Sequence, residues 1–216
     1  MRRRTAVLIS GRGSNLAALI GAAAAPDYPA EIALVVSNRP EAEGLRHAAA
    51  AAIPTLAIDH RPFRGDRTAH ERALHAALCA AGIELVCLAG YMRLLTPFLV
   101  GCWAGRMLNV HPSLLPAFPG LHTHARALAA EVKLHGCTVH LVTEATDEGP
   151  ILAQAAVPVL PGDDEDRLAA RVLAQEHLIY PLALRLLASG EAPAAPSPHA
   201  ALRNPVGHPL AGCGRS

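Results

Sequence analysis

Residues 5–24 read TAVLISGRGSNLAALIGAAA, an apolar run followed by a glycine-bearing turn and then an alanine- and leucine-rich stretch. The run 5–9 has the length and residue types of a buried strand, whereas residues 15–24 have helical character. Glycine lets a backbone approach an anion closely, and the free N–H groups at the start of a helix attract phosphate. The stretch therefore predicts a strand, a candidate phosphate-binding loop at residues 10–15, and a helix.

The candidate loop SGRGSN differs from two well-known phosphate-binding sequences. A dinucleotide-binding GxGxxG would need glycine where the chain has Leu16, and the second predicted strand does not end in an acidic residue. The Gly-Lys-Ser/Thr of a P-loop is missing as well. Gly13, Ser14 and Asn15 are candidate phosphate ligands, although a turn that only caps the helix would explain the same residues.

Short β-rich runs and longer helical stretches alternate along the chain as far as about residue 110. Further strands are predicted at residues 31–36, 55–58, 85–89 and 107–110, and further helices at 42–52, at 66–81 and after Thr96. This alternation is typical of βαβ connections on a parallel sheet. The predicted fold class is therefore α/β and Rossmann-like, with a mostly parallel twisted sheet and flanking helices.

The pattern changes beyond Leu115. A loop rich in proline, glycine and histidine at residues 116–124 leads into a helix. Strands follow at 138–143 and 151–157, and this second part of the sheet is expected to be mixed or antiparallel.

A long amphipathic helix is predicted to end the fold. Acidic residues at 163–166 favour its N-terminus, and it reaches about Ala188. Residues 1–188 are therefore expected to form a single domain. Residues 189–216 are rich in proline, alanine and glycine, with few bulky apolar side chains, and are expected to form a mobile tail.

Charge and cysteine usage narrow the classes of partner. The chain has 19 Lys and Arg against 18 Asp and Glu, so it has no long-range field to gather nucleic acid or an anionic membrane. Its five cysteines are dispersed without a CxxC pair, which argues against a disulfide framework and a structural zinc site. The N-terminal apolar run is too short for a signal peptide or a membrane span. We expect a cytoplasmic protein without a metal.

The sequence NVHPSLLP, which starts at Asn109, lies at the carboxyl end of the fifth predicted strand, where open α/β sheets bind ligands. Asn109 and His111 are two residues apart and share one face of an extended chain. An amide donor and an imidazole aimed at one point suit a carbonyl that becomes a tetrahedral oxyanion. A hydrogen-bonded structural histidine is the alternative explanation of His111.

Two later segments carry further candidates. In TEATDEGPI, residues 143–151, Asp147 is either a turn residue or a carboxylate that faces His111 and stabilises its imidazolium. In QEHLIYP, residues 175–181, Glu176 either faces solvent or holds a substrate ammonium.

Taken together, SGRGSNL, AGYMRLL, NVHPSLLPAFPGLHTH, VTEATDEGPI and AQEHLIYP resemble the phosphoribosylglycinamide formyltransferase family in their order and spacing. The resemblance covers about residues 6–187. It implies transfer of a formyl group from the cosubstrate 10-formyltetrahydrofolate to the primary amine of glycinamide ribonucleotide, in purine biosynthesis, by direct attack through a tetrahedral intermediate. The implied partners are these small molecules, with no nucleic acid and no membrane, and the implied state is a monomer or a homodimer.

The resemblance also implies roles for individual residues. Asn109, His111 and Asp147 match the catalytic trio. The substrate-binding positions are Gly13, Ser14, Asn15, Gln175 and Glu176. The folate-binding positions are Arg67, Met92, Arg93, Leu94, Leu95, Asn109, Thr143, Glu144, Ala145, Thr146 and Asp147. The chain departs from the family in its tail after Ser189 and at Ala117, where some relatives carry lysine.

Three other functions were weighed against this one. A formyltetrahydrofolate hydrolase would use water as the acceptor, but such enzymes carry an additional N-terminal domain. Enzymes that make formyl-methionyl-tRNA carry a C-terminal nucleic-acid-binding domain, for which the short neutral tail leaves no room. A non-catalytic nucleotide- or folate-binding module would not need Asn109, His111 and Asp147 together.

Overall fold

The computed structural model describes residues 1–191, which are organised around a seven-stranded sheet. The strands are β1 Arg3–Ile9, β2 Ala30–Ser37, β3 Thr55–Ala57, β4 Leu85–Leu88, β5 Met107–His111, β6 Leu134–Leu141 and β7 Ile151–Pro158. The helices are α1 Ser14–Ala23, α2 Gly44–Ala50, α3 Arg67–Ala80, α4 Pro97–Cys102, α5 Thr123–Ala129 and α6 Glu165–Ala188, and a short 3-10 helix spans Arg61–Phe63. The predicted tail lies outside the described residues from position 192 onward.

The strands follow the order β3-β2-β1-β4-β5-β6-β7 across the sheet. The first five are parallel, whereas β6 is antiparallel to both β5 and β7. The predicted α/β class, with a mostly parallel sheet and a mixed second part, is therefore confirmed. Strand β6 begins four residues before the predicted position 138, because residues 134–137 pair with β7 although they include a histidine and a glycine.

Strand β1 shows why the centre of the sheet is stable. Val7 and Ile9 face one apolar cluster, which includes the buried side chains of α1 and α6. Ala6 and Leu8 face the other, which is closed by α3 and α4. Successive side chains of a strand point to opposite faces, so a strand covered on both sides is apolar throughout.

Helix α6 is fixed at its N-terminus and along its length. The side chain of Asp164 accepts a hydrogen bond from the backbone N–H of Arg167, which caps the first turn. Farther along, the hydroxyl of the fully buried Tyr180 donates to the carbonyl of Leu88 at 3.0 Å. These contacts hold the intervening Glu176 at a fixed height above the sheet. Within residues 1–191, none of the helices is both long and apolar enough to cross a bilayer.

Candidate active site

Three segments with candidate residues meet at one edge of the sheet. The loop of residues 10–15 follows β1, residues 91–95 follow β4, and His111 ends β5. These strands are neighbours in the order β1-β4-β5 and run parallel, so their carboxyl ends share one edge. This is the edge at which open α/β sheets bind ligands.

Glycine is required at one position of the loop. Gly13 has φ of 82°, the left-handed region, and a Cβ there would lie 2.7 Å from the Cα of Gly44. The backbone N–H of Gly44 also donates to the carbonyl of Gly11 at 3.0 Å. Gly44, the first residue of α2, therefore packs directly against the loop and is hydrogen-bonded to it. This contact was not predicted, because nothing in the sequence near residue 44 indicates which segment it packs against.

Asn15 and Glu176 form a buried pair beside this loop. Asn15 Nδ2 donates to Glu176 Oε2 at 2.6 Å, and Glu176 is only 7% exposed. Of the two alternatives for Glu176, the solvent-facing one does not hold, because α6 packs this position against α1, and a role in substrate binding stays a prediction. Burial raises the pKa of the Glu176 carboxyl, and the hydrogen bond from Asn15 opposes that rise. Gln175, the preceding residue, is half-buried.

The segment at 91–95 presents apolar side chains to solvent, and its backbone is held by a hydrogen bond from a side chain of α3. Met92 and Leu94 are each 66% exposed, whereas Arg93 and Leu95 are half-buried. The carbonyl of Leu94 accepts a hydrogen bond from Arg67 Nη1 at 3.4 Å. Exposed large apolar side chains beside polar groups are a feature of ligand sites.

Asp147 lies against His111 although the two residues are far apart in sequence. Asp147 Oδ2 is 3.4 Å from His111 Nδ1, and the Asp147 side chain is only 9% exposed. The same oxygen accepts a hydrogen bond from the backbone N–H of Gly120 at 2.9 Å. Asp147 has φ of 59°, a left-handed conformation that is uncommon for a residue other than glycine. The structure thus brings together Asn109, His111 and Asp147, whose catalytic role stays a prediction.

Both ring nitrogens of His111 face oxygen acceptors. Nδ1 faces the Asp147 carboxylate, and Nε2 lies 3.0 Å from the carbonyl oxygen of Phe118. A neutral imidazole has one N–H donor, so only the doubly protonated ring can donate in both directions.

A second histidine, His140, lies in one cluster with Asn109, His111 and Asp147. It was not predicted from the sequence. It lies directly opposite Asn109 in the antiparallel β5–β6 pair, with its Nε2 3.3 Å from Asn109 Nδ2 and 3.7 Å from Asp147 Oδ1. Its Nδ1 lies 2.9 Å from the Leu141 carbonyl. The contact of His140 with Asn109 depends on the register between β5 and β6, which the residue types alone did not indicate.

Burial lowers the pKa of His140, against the opposing effects of the Leu141 carbonyl and Asp147. His140 is therefore neutral, donating from Nδ1 and accepting at Nε2 from the Asn109 amide. The two histidines of the site thus have different hydrogen-bond partners, a carboxylate and a carbonyl for His111 and a carbonyl and an amide for His140.

The remaining predicted folate positions are less enclosed. Thr143, Glu144, Ala145 and Thr146 are all exposed, and the hydroxyl of Thr143 donates to the carbonyl of Ala145. In residues 1–191 no side-chain hydrogen bond joins these four residues to the 91–95 segment. The structure places them on the loop that carries Asp147, at the margin of the site.

The two other histidines of the motif lie at the start of α5, His122 just before it and His124 within it. His122 is exposed, with φ of 55°, and precedes the first residue of α5. His124 Nδ1 lies 3.2 Å from Nε2 of the buried His135. Burial lowers the pKa of both His124 and His135, the latter to about 4. The two rings therefore share a contact in their neutral forms.

Comparisons with known proteins agree with this geometry. The family model described as Formyl transferase matches residues 3–184. The phosphoribosylglycinamide formyltransferase of Escherichia coli is 46% identical over 184 residues, which cover 85% of this chain and 86% of that protein. The trifunctional purine biosynthetic protein adenosine-3 of Drosophila melanogaster is 50% identical over 193 residues, and this match spans 88% of the chain but only 14% of that relative's length.

Solved structures give the same result. The phosphoribosylglycinamide formyltransferase of Brucella melitensis has a TM-score of 0.84 at 57% identity, with 90% of this chain and 100% of that chain covered. Glycinamide ribonucleotide transformylase 1 of Symbiobacterium toebii has a TM-score of 0.85 at 49% identity, covering 88% and 89%. The chain therefore belongs to the formyl transferase family, as its sequence motifs predicted.

Proposed function

We propose that this chain transfers a formyl group from 10-formyltetrahydrofolate to the primary amine of N1-(5-phosphoribosyl)glycinamide in purine biosynthesis. The observation that carries the proposal is the arrangement of His111, with one ring nitrogen on the Asp147 carboxylate and the other on a carbonyl, beside the Asn109 amide. Relatives that match this chain along most of their length bear the name of this activity.

The loop at the start of α1 suits the phosphate end of the acceptor. Gly13 allows a close backbone approach, and the first N–H groups of the ten-residue helix α1 carry a partial positive charge. Ser14 adds a hydroxyl donor at the same end. The buried Asn15–Glu176 pair lies beside the loop, and the Asn15 Oδ1 atom has no hydrogen-bond partner among the described residues.

The segment after β4 suits a flat, largely apolar ring system. Met92 and Leu94 offer apolar surface. They follow β4, which lies in the sheet between β1, the strand before the loop, and β5, the strand that ends at His111. A folate bound against them would therefore have its reactive end near Asn109 and the phosphate-bearing acceptor on its other side. When bound, the folate supplies the formyl carbon that the amine attacks.

Asn109 and His111 stabilise the negative charge that develops on the formyl oxygen. Asn109 Nδ2 carries two hydrogens, one of which points to His140, so the other is available for the oxygen. In this structure the Phe118 carbonyl accepts from His111 Nε2. The formyl oxygen takes the place of that carbonyl as the acceptor. The second hydrogen of the Asn109 amide is fixed before the reaction and needs no reorganisation, whereas His111 Nε2 must exchange the Phe118 carbonyl for the formyl oxygen.

Asp147 holds the imidazolium and supports proton transfer. Its carboxylate faces Nδ1 of His111 and keeps the ring oriented. The carboxylate also organises the water that carries the amine proton to N10 of the folate, as the bond between the formyl carbon and N10 breaks. These steps need no metal, and the cytoplasmic location and the monomeric or homodimeric state stay predictions.

The proposal is tested by incubating the full chain with glycinamide ribonucleotide and 10-formyltetrahydrofolate. Formylated ribonucleotide, identified by mass, should accumulate in step with the loss of formyl-folate. If formate accumulates instead, water is the acceptor and the chain is a hydrolase. If the formyl-folate is unchanged with folded protein present, the proposed transfer is wrong.

A further inference from the structure

A buried serine joins three segments at the ligand edge of the sheet. Ser10 is the first residue after β1, and it is only 4% exposed. Its hydroxyl donates to Asn38 Oδ1 at 2.5 Å, and its oxygen accepts from the backbone N–H of Met92 at 2.8 Å. One side chain therefore connects the end of β1 with the end of β2 and with the segment after β4.

The direction of these hydrogen bonds makes the hydroxyl necessary. The carboxamide oxygen of Asn38 only accepts, so Ser10 must donate its single hydrogen there. The lone pairs of the Ser10 oxygen then remain for the N–H of Met92. Asn38 is itself buried, and its backbone carbonyl oxygen lies 2.9 Å from His60 Nδ1. An alanine at position 10 would leave a buried acceptor and a donor without partners, which is costly.

The segment that Ser10 holds is also fixed at its far end. Glu71, which is buried, accepts from the backbone N–H of Thr96 at 2.8 Å and also from the Thr96 hydroxyl. Thr96 immediately precedes α4. The exposed side chains of Met92 and Leu94 thus stand on a backbone that buried polar groups hold at both ends. Groups held in this way present a preformed surface to a ligand.

We propose that Ser10 is a positioning residue for the folate site. Through the N–H of Met92 it sets the place of the apolar surface formed by Met92 and Leu94, without touching the folate itself. This inference rests on the proposed function, because the ligand of that surface is taken to be a folate. It adds a role to Ser10 that the phosphate loop alone would not require.

The test measures ligand binding as well as turnover. Equilibrium binding of tetrahydrofolate and of inorganic phosphate is compared in the wild type, in Ser10→Ala and in Ser14→Ala. Ser10→Ala should raise the Kd for tetrahydrofolate about tenfold, the effect expected when a buried hydrogen bond is lost. It should raise KM for the formyl-folate similarly, with kcat within about twofold. Ser14→Ala, the matched loop variant, should weaken phosphate binding and leave tetrahydrofolate binding nearly unchanged.

Two further variants separate positioning from a general loss of structure. Ser10→Thr restores the hydroxyl and should recover most of the tetrahydrofolate affinity. Asn38→Ala removes the partner that orients the Ser10 hydroxyl, together with the contact of Asn38 Nδ2 with His60 Nδ1 at 3.3 Å, and its Kd should lie between those of the wild type and Ser10→Ala. Asn38→Ala also gives the answer if Ser10→Ala does not fold.

The possible failures are distinct. If the folded Ser10→Ala variant binds tetrahydrofolate as tightly as the wild type does, this inference alone is overturned. A loss of kcat in Ser10→Ala as large as the rise in KM would do the same, because it would indicate a role in the chemical step. A wild type that binds no tetrahydrofolate would overturn the proposed function, and this inference with it.

Discussion

The loop of residues 10–15 and the cluster of Asn109, His111, His140 and Asp147 are built in different ways. The loop is contiguous, lies between a strand and a helix, and is proposed to bind phosphate mainly through backbone N–H groups. The cluster combines side chains from two antiparallel strands and from the loop between β6 and β7. Within it, each polar group is a partner of another.

This difference determines how each region responds to substitution. In the loop, the geometry is set by glycine conformation and close packing. Most side-chain substitutions there should therefore have small effects on binding, whereas a substitution at Gly13 should have a large one. In the cluster, removal of one side chain leaves a neighbour unpaired or free to rotate. Effects there should be large and strongly non-additive.

The largest effect is expected for His111→Ala. This variant removes a donor to the developing oxyanion and the group that Asp147 supports, so kcat should fall about 10³-fold. The KM for glycinamide ribonucleotide should change little, because the loop is intact. Steady-state kinetics checks both values. A kcat within tenfold of the wild type would remove His111 from the reaction.

A smaller effect is expected for His140→Ala. Because His140 orients the Asn109 amide without facing the proposed reacting atoms, kcat should fall about tenfold, less than for loss of an oxyanion donor. His140→Gln retains a side-chain acceptor for Asn109 and should recover part of the loss. Equal kinetics for the wild type and His140→Ala would show that the Asn109 amide needs no such partner.

In the loop, Gly13→Ala should raise the KM for glycinamide ribonucleotide roughly tenfold, a loss of about 1.4 kcal/mol. The new Cβ would meet the backbone of Gly44, and alanine is strained at this positive φ. The matched control is Gly21→Ala on the exposed side of α1, where a Cβ meets nothing within 4 Å. If both variants bind equally well, the close packing of Gly13 on Gly44 does not shape the site.

The smallest effect concerns the pH dependence of stability beside the loop. The folded pKa of Glu176 is raised by burial, so the folded state holds this proton more tightly than the unfolded state does. Its contribution to the free energy of unfolding is present at low pH and is lost as pH rises from the ordinary carboxyl value of 4.5 through the raised folded pKa. Denaturant titrations of the wild type and Glu176→Gln should show a less negative slope with pH in the variant. Parallel slopes would contradict the raised pKa.

The two regions also differ in how far the sequence predicted them. The strand, loop and helix of residues 5–24 follow from local residue types, and Asn109 and His111 share a face because of the period of a strand. His140, Gly44 and the side-chain bridge of Ser10 did not emerge, since each acts on a segment that is distant along the chain. The distance from Asp147 to His111 depends on where the β6–β7 connection folds back, which spacing does not determine.

A double-mutant cycle on kcat with His111→Ala, Asp147→Asn and the double variant tests most directly whether Asp147 acts through His111. If it does, Asp147→Asn alone should lower kcat at least about 10²-fold. The double variant should then be no slower than His111→Ala, because the carboxylate has no imidazolium left to support. A double variant whose kcat falls by the product of the two single effects would contradict the account.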